Sequence, residues 1–161
     1  MMNGLPAHPL LVHFLVALVP LTAILAVLCA VWPAARRRLV WLTLALAGFT
    51  AVLTPIAAEA GEWLEHQIEE SELVEKHAHL GETMIYFALG LLVAAVLLAV
   101  VHWRAERHGT SSGVLSAVVA VFVVVASLAA AVQVYRIGHS GAEATWGDAL
   151  TGASAEKEAG E

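Results

Sequence analysis

The chain carries eight histidines. Six of them, His8, His13, His66, His77, His79 and His139, lie at the ends of long apolar stretches that fall on one side of the sequence's expected layout. Glu59, Glu62, Glu82 and Arg136 accompany them. A neutral imidazole is a strong nitrogen acceptor, suited to iron, copper or zinc, and it titrates near neutral pH. An ionisable group at membrane depth costs at least a few kcal/mol, so groups kept there usually pair, bind something or line a wet cavity.

His13 lies about one turn into the first apolar stretch, within Leu11-Val12-His13-Phe14-Leu15. It is either a ligand or a polar residue bonded to a neighbouring helix backbone. His77 and His79 are two residues apart, so on a helix they point to nearly opposite sides. His79 shares a face with Glu82, Thr83 and Tyr86, which favours it as the inward residue and leaves His77 solvated. His139 sits between Gly138 and Gly141. Those glycines can end a helix and turn the chain across the mouth of a bundle, placing His139 over the entrance. Otherwise it is an exposed loop histidine. Glu59 and Glu62 are one helical turn apart, as are Glu62 and His66, and they are either metal ligands or a solvated face. His102 and His108 stand among arginines and read as interface residues.

The elements that must position these groups are membrane helices. The chain has 161 residues, is 60% hydrophobic and only 14% charged, with a mean hydropathy of +0.78. A soluble domain carries about 25% charged residues. Charge is almost absent from spans at 10–32, 39–58, 80–102 and 114–135. Each is near the ~20 residues that cross a bilayer core, and in lipid such spans must be helical. The valine-rich fourth span would suggest a strand in water, but its length and lack of alternation overrule that. The expected fold is therefore all-α, an integral membrane four-helix bundle over 1–150, with a disordered tail at 151–161.

Arg36, Arg37 and Arg38 lie between the first two spans, and Arg104 and Arg107 between the last two. Those loops share a side, which the positive-inside rule makes cytoplasmic, so both termini are expected to be extracytoplasmic. The first span has no basic residue before it and is longer than a signal-peptide core, so it reads as retained. Cys29 is the single cysteine and reads as a small apolar residue. No basic patch with interleaved aromatics is present, so nucleic acid is not an expected partner. Ser140 is not in a nucleophile-elbow context, and the chain does not read as a stand-alone enzyme.

The segment Gly4-Leu5-Pro6-Ala7-His8-Pro9-Leu10-Leu11-Val12-His13-Phe14 resembles the N-terminal signature of a bacterial membrane family catalogued as domain of unknown function 2231. The segments Gly61–Glu65, His79–Glu82 and Tyr135–Ala142 resemble it as well, and the likeness covers roughly residues 4 to 148. Leu15 stands where the family usually has proline after Val-His-Phe. The resemblance implies four spans, a bacterial inner (cell) membrane and no established activity. Some relatives are joined to Rieske or cytochrome c modules, which points toward electron transfer with a redox partner protein.

Three readings follow. In the first, the chain binds haem b or a redox metal for electron transfer. His13 and His79 are then the axial pair, with His139 or His8 as a substitute and Arg136 on a propionate. No Cys-x-x-Cys-His attachment site is present, so any haem is non-covalent. In the second, His8, His13, Glu59, Glu62, His79 and His139 hold a divalent metal for transport, sensing or assembly. In the third, the cluster only locks the helices of an accessory subunit. The lipid bilayer is a partner in all three.

Overall fold

The computed structural model describes residues 7–67, 71–109 and 113–159, with side chains described over 8–67, 71–107, 109 and 113–146. Five helices make up these residues: α1 Ala7–Val31, α2 Pro33–Glu65, α3 Glu72–Glu82, α4 Met84–His108 and α5 Gly113–Ala159. No strand occurs among them. Four helical segments are long and apolar enough to cross a membrane. The last two residues, and the side chains from 147 onward, lie outside the description; within the expected tail at 151–161, α5 continues to Ala159.

α1 and α2 are joined by Trp32 alone. Pro33 holds that residue extended (φ −125°, ψ 103°), because the proline ring disfavours the helical region for its predecessor. Pro33 itself is harmless at the first helical position, where its missing N–H has no partner to lose. The result is a tight helical hairpin. α4 ends at Gly109, whose left-handed backbone (φ 66°) closes the helix with a bond from its N–H to the Ala105 carbonyl.

α3 begins at Ser71, whose hydroxyl accepts from the Val74 N–H at 3.3 Å. Glu72 and Glu75 in its first turn suit the positive end of the helix dipole. Thr83 separates α3 from α4. Gln133 of α5 clamps that junction, donating to the Leu80 carbonyl at 3.1 Å and to the Thr83 hydroxyl at 2.8 Å. Gln133 is 3% exposed, so the junction is fixed by a buried amide with two partners.

α1 packs on α2 and α5, and α4 packs on the same two. α1 and α4 face each other across one diagonal, and α3 lies mainly against α5. The interior is built from small and hydroxyl residues: Ala23, Ala26, Ala47, Ala88, Ala94, Ala95 and Ala130, with Thr22, Thr43, Thr50 and Thr54. The threonine hydroxyls return to carbonyls one turn back, and Thr43 also meets the Cys29 thiol of α1 at 3.6 Å. Large side chains such as Ile24, Val52, Val121 and Leu128 face outward. That inversion is expected when lipid surrounds the bundle and helices associate by close packing.

Between the second and third spans, Glu62 and Glu65 extend α2, and Glu72 opens the separate α3. One expectation about the histidine end is corrected. Gly138 and Gly141 do not turn the chain, because α5 runs unbroken through both. A glycine inside a helix costs about 1 kcal/mol without stopping it, and Gly141 answers to a close approach described next.

Candidate functional site

Two histidines enter the bundle at the end where α1 begins, and they come from opposite corners. On α1 the inward positions are His8, Val12, Leu15, Val19, Thr22, Ala26 and Cys29, alternating four and three residues apart. On α3 and α4 the same alternation runs His77, Gly81, Met84, Ala88, Leu91, Ala95 and Leu98. Each inward stripe thus starts with a histidine at the same end.

The His8 Nδ1 lies 2.9 Å from the Ala57 carbonyl of α2. A carbonyl only accepts, so Nδ1 carries the proton and, in the neutral ring, Nε2 is left as a bare lone pair. His77 Nδ1 lies 3.0 Å from the Ser140 hydroxyl of α5. That hydroxyl spends its one proton on the Ile137 carbonyl at 3.0 Å, so it must accept from His77. His77 therefore has the same tautomer, with Nε2 bare. The two rings stand 6.3 Å apart, centre to centre, at 81°.

Glycines make room for both rings. A Cβ on Gly61 would meet His8 Cε1 at 2.8 Å, and one on Gly141 would meet His77 Cε1 at 3.0 Å. His8 and His77 line a cavity of about 60 Å³, together with Thr54, Ala57, Gly81, Met84, Val134 and Ile137 among others. No acidic residue lines it. His77 sits on α3, before the apolar run of the third span. Burial pushes its pKa down, and the His8 ring beside it pushes the same way, against a smaller raising effect of the Ile137 carbonyl.

The residues expected from the sequence fall differently. His8 is inward. His13 is exposed and turns its Nδ1 back to the Pro9 carbonyl of its own helix. Five residues on from His8, it lies about 140° round the helix and off the inward stripe. His79 is 79% exposed, with Glu82 at 3.9 Å, while His77 faces the bundle. The expected order of that pair is reversed: Glu82 and Tyr86 mark the outward face, not the inward one. His139 is 58% exposed on the flank of α5, 3.5 Å from Glu143, and does not cover an entrance. Glu59, Glu62 and Arg136 are exposed. His13, His79 and His139 are not brought to one point inside the bundle.

His66 is exposed and bonded to the Glu62 carbonyl. His102, expected at an interface, is 5% exposed at the far end of the bundle, with Glu106 3.6 Å away. The side chain of His108 is outside the described residues. Among the described residues, no group of three or more His, Cys, Asp or Glu is placed to hold a metal ion. A cavity of about 60 Å³ has room for a few waters but not for a porphyrin. Haem b does not fit this site.

His77, Ser140, Gly61 and Gly141 are the site residues that motif reasoning missed. The signal for His77 is present in the sequence, as the stripe that continues from it through Gly81, Met84 and Ala88. A family model described as "Predicted membrane protein (DUF2231)" matches residues 4–153. No curated protein and no solved structure matches the chain.

Proposed function

We infer the function from a firm premise: the chain belongs to the predicted membrane-protein family DUF2231, which spans nearly all of it. On that premise, the chain is a multi-pass membrane protein that binds a transition-metal ion between His8 and His77. The observation that carries this reading is the pair of tautomers. Both Nδ1 atoms are committed as donors, to Ala57 and Ser140, and both bare Nε2 atoms belong to rings lining one cavity. Metal-ligating histidines are oriented in this way, with the second ring nitrogen tied to a carbonyl or hydroxyl of the protein. In neutral rings so tied, each Nε2 is the nitrogen left to coordinate a cation.

The five arginines at the helix ends flanking the two short connections support a cytoplasmic side for those connections. The histidine end and both termini then face outward across a bacterial cell membrane. The ion is held at the extracytoplasmic end, and the function is ion handling there. The electron-transfer reading through haem loses its footing, since its axial pair, His13 and His79, points away from the bundle interior.

Metal analysis of the purified full chain, dialysed against a mixture of transition-metal ions, tests the reading. Wild type and His13→Ala should retain the same ion, and His8→Ala and His77→Ala should lose it. Equal retention by all four proteins would overturn the assignment. A C-terminal reporter active in the cytoplasm would overturn the orientation.

A further inference from the structure

We propose that the arginine end of the bundle is a site for anionic phospholipid, where guanidiniums closing the outward faces of α2 and α4 hold the lipid phosphates. The proposal is independent of the ion reading and concerns the end of the molecule away from His8 and His77.

The outward faces of the two helices end alike. On α4, Val93, Val96, Val100, Trp103 and Arg107 recur three or four residues apart, and all are exposed. On α2 an exposed stripe runs back from Val52 through Phe49, Ala45 and Trp41 to Arg37, with Arg38 beside it. Each stripe is an apolar strip, then a tryptophan, then an arginine one turn, about 5 Å, further out. Indole rings sit at headgroup level in a bilayer, so a guanidinium one turn beyond reaches the level of the phosphates. Arg107 is held there by its neighbour, with its guanidinium carbon 4.6 Å from the centre of the Trp103 ring.

The protein itself leaves these cations without counter-charge. Arg36, Arg37, Arg38, Arg104 and Arg107 share their end with a single acid, Glu106, which stands 3.6 Å from His102. None of the five arginines takes part in an ion pair among the described residues. Arg37, Arg38, Arg104 and Arg107 are exposed, and Arg36 is half-buried. A guanidinium offers a planar fork of donors that matches two oxygens of one phosphate. Clusters of four or more basic residues beside a membrane helix attract anionic lipid in this way.

The histidine end repeats the tryptophan and reverses the charge. Trp63 on α2 is exposed, with the exposed Glu59 one turn before it and Glu62 beside it. Trp146 on α5 is exposed too, with Glu143 three residues before it and paired to Lys76 at 3.7 Å. Carboxylates at headgroup level repel an anionic lipid. Discrimination by lipid charge therefore belongs to the arginine end alone. A zwitterionic headgroup brings its own ammonium to the arginines and loses the advantage there.

The test is native mass spectrometry of the full chain in detergent micelles, titrated with phosphatidylglycerol or with phosphatidylcholine of the same acyl chains. Phosphatidylglycerol should bind more tightly, by about tenfold or more. Arg37→Gln, Arg38→Gln and Arg107→Gln change exposed side chains, and thermal melts check that each variant keeps its fold. Each should weaken phosphatidylglycerol binding about fivefold and leave phosphatidylcholine binding unchanged. Arg107→Lys keeps the charge and should retain more of the affinity than Arg107→Gln. Lys76→Gln, at the acidic end, should change neither lipid. Glycerol phosphate carries the same phosphate without acyl chains and should not compete. If it competes as well as the lipid does, the site takes a free anion and the lipid assignment is wrong. Equal affinity for the two lipids would overturn the proposal, as would a phosphatidylglycerol preference that survives all three glutamine substitutions together.

Discussion

His8 and His77 meet edge to face at 6.3 Å although they start the inward stripes of helices at opposite corners of the bundle. His8 leans on α2 through Ala57, and His77 leans on α5 through Ser140. Each ring therefore belongs to one half of the molecule, and the cavity lies on the seam between halves.

The glycines under the rings should matter more to binding than to folding. Gly61→Ala places a methyl 2.8 Å from His8 Cε1. The ring is the mobile end of its side chain, so it swings away and the fold survives. Ion affinity should fall about tenfold, while thermal stability changes by less than about 1 kcal/mol. Gly48→Ala, with open space around it, should leave affinity intact. Titration calorimetry beside thermal melts of the three proteins separates the two effects.

Ser140→Ala removes the acceptor that fixes the His77 tautomer. Ser140 is 3% exposed, so the loss is not made good by bulk water. It should destabilise the protein by about 1–2 kcal/mol and weaken ion binding as well. Ser140→Thr keeps the hydroxyl and should retain binding better than alanine does, read in the same titration.

Acid should loosen the histidine end. His77 has its pKa lowered in the folded protein, by burial first and then by His8. The folded state therefore binds that proton less readily than the unfolded chain does. Stability is full above the unfolded value of about 6.5 and is lost as pH falls below it, toward the lower folded value. The Lys76–Glu143 pair and His139 remain at the surface. The melting temperature should fall between about pH 7.5 and about pH 5.5, and His77→Gln should flatten part of that fall. An unchanged slope in the variant would assign the acid sensitivity elsewhere.

The clamp at the α3–α4 junction is a separate matter of stability. Gln133→Leu strips the donor from the Leu80 carbonyl and the Thr83 hydroxyl at a buried site. A loss of about 1–3 kcal/mol is expected. Hydrogen exchange should show faster opening confined to α3 and the first turns of α4, and uniform exchange would contradict the local role.

Much of this architecture was legible in the sequence. Four apolar runs, with arginines between the first two and between the last two, follow from what lipid demands of a chain. The convergence of chemistry at one end was also readable, and His8 was among its candidates. Which histidines turn inward was not read correctly, although the four-and-three spacing from His77 through Gly81, Met84, Ala88 and Leu91 was in plain view. His79 drew notice through polar neighbours, Glu82 and Tyr86, but polar neighbours on a membrane helix end mark the wet face. Gly138 and Gly141 were taken as a helix stop because glycine commonly ends helices. Only tertiary contact shows that Gly141 serves as the seat for His77. The match of a single donor–acceptor pattern on both rings could not be seen without knowing that Ala57 and Ser140 lie beneath them.

The most direct test is the nitrogen NMR spectrum of histidine-labelled protein in micelles, assigned by His8→Gln and His77→Gln. For both residues the account requires a protonated Nδ1 and a bare Nε2 at neutral pH. Addition of the bound ion should shift both Nε2 signals together and leave His13 and His79 unmoved. A protonated Nε2 on either ring, or ion-induced shifts confined to the exposed histidines, would contradict it.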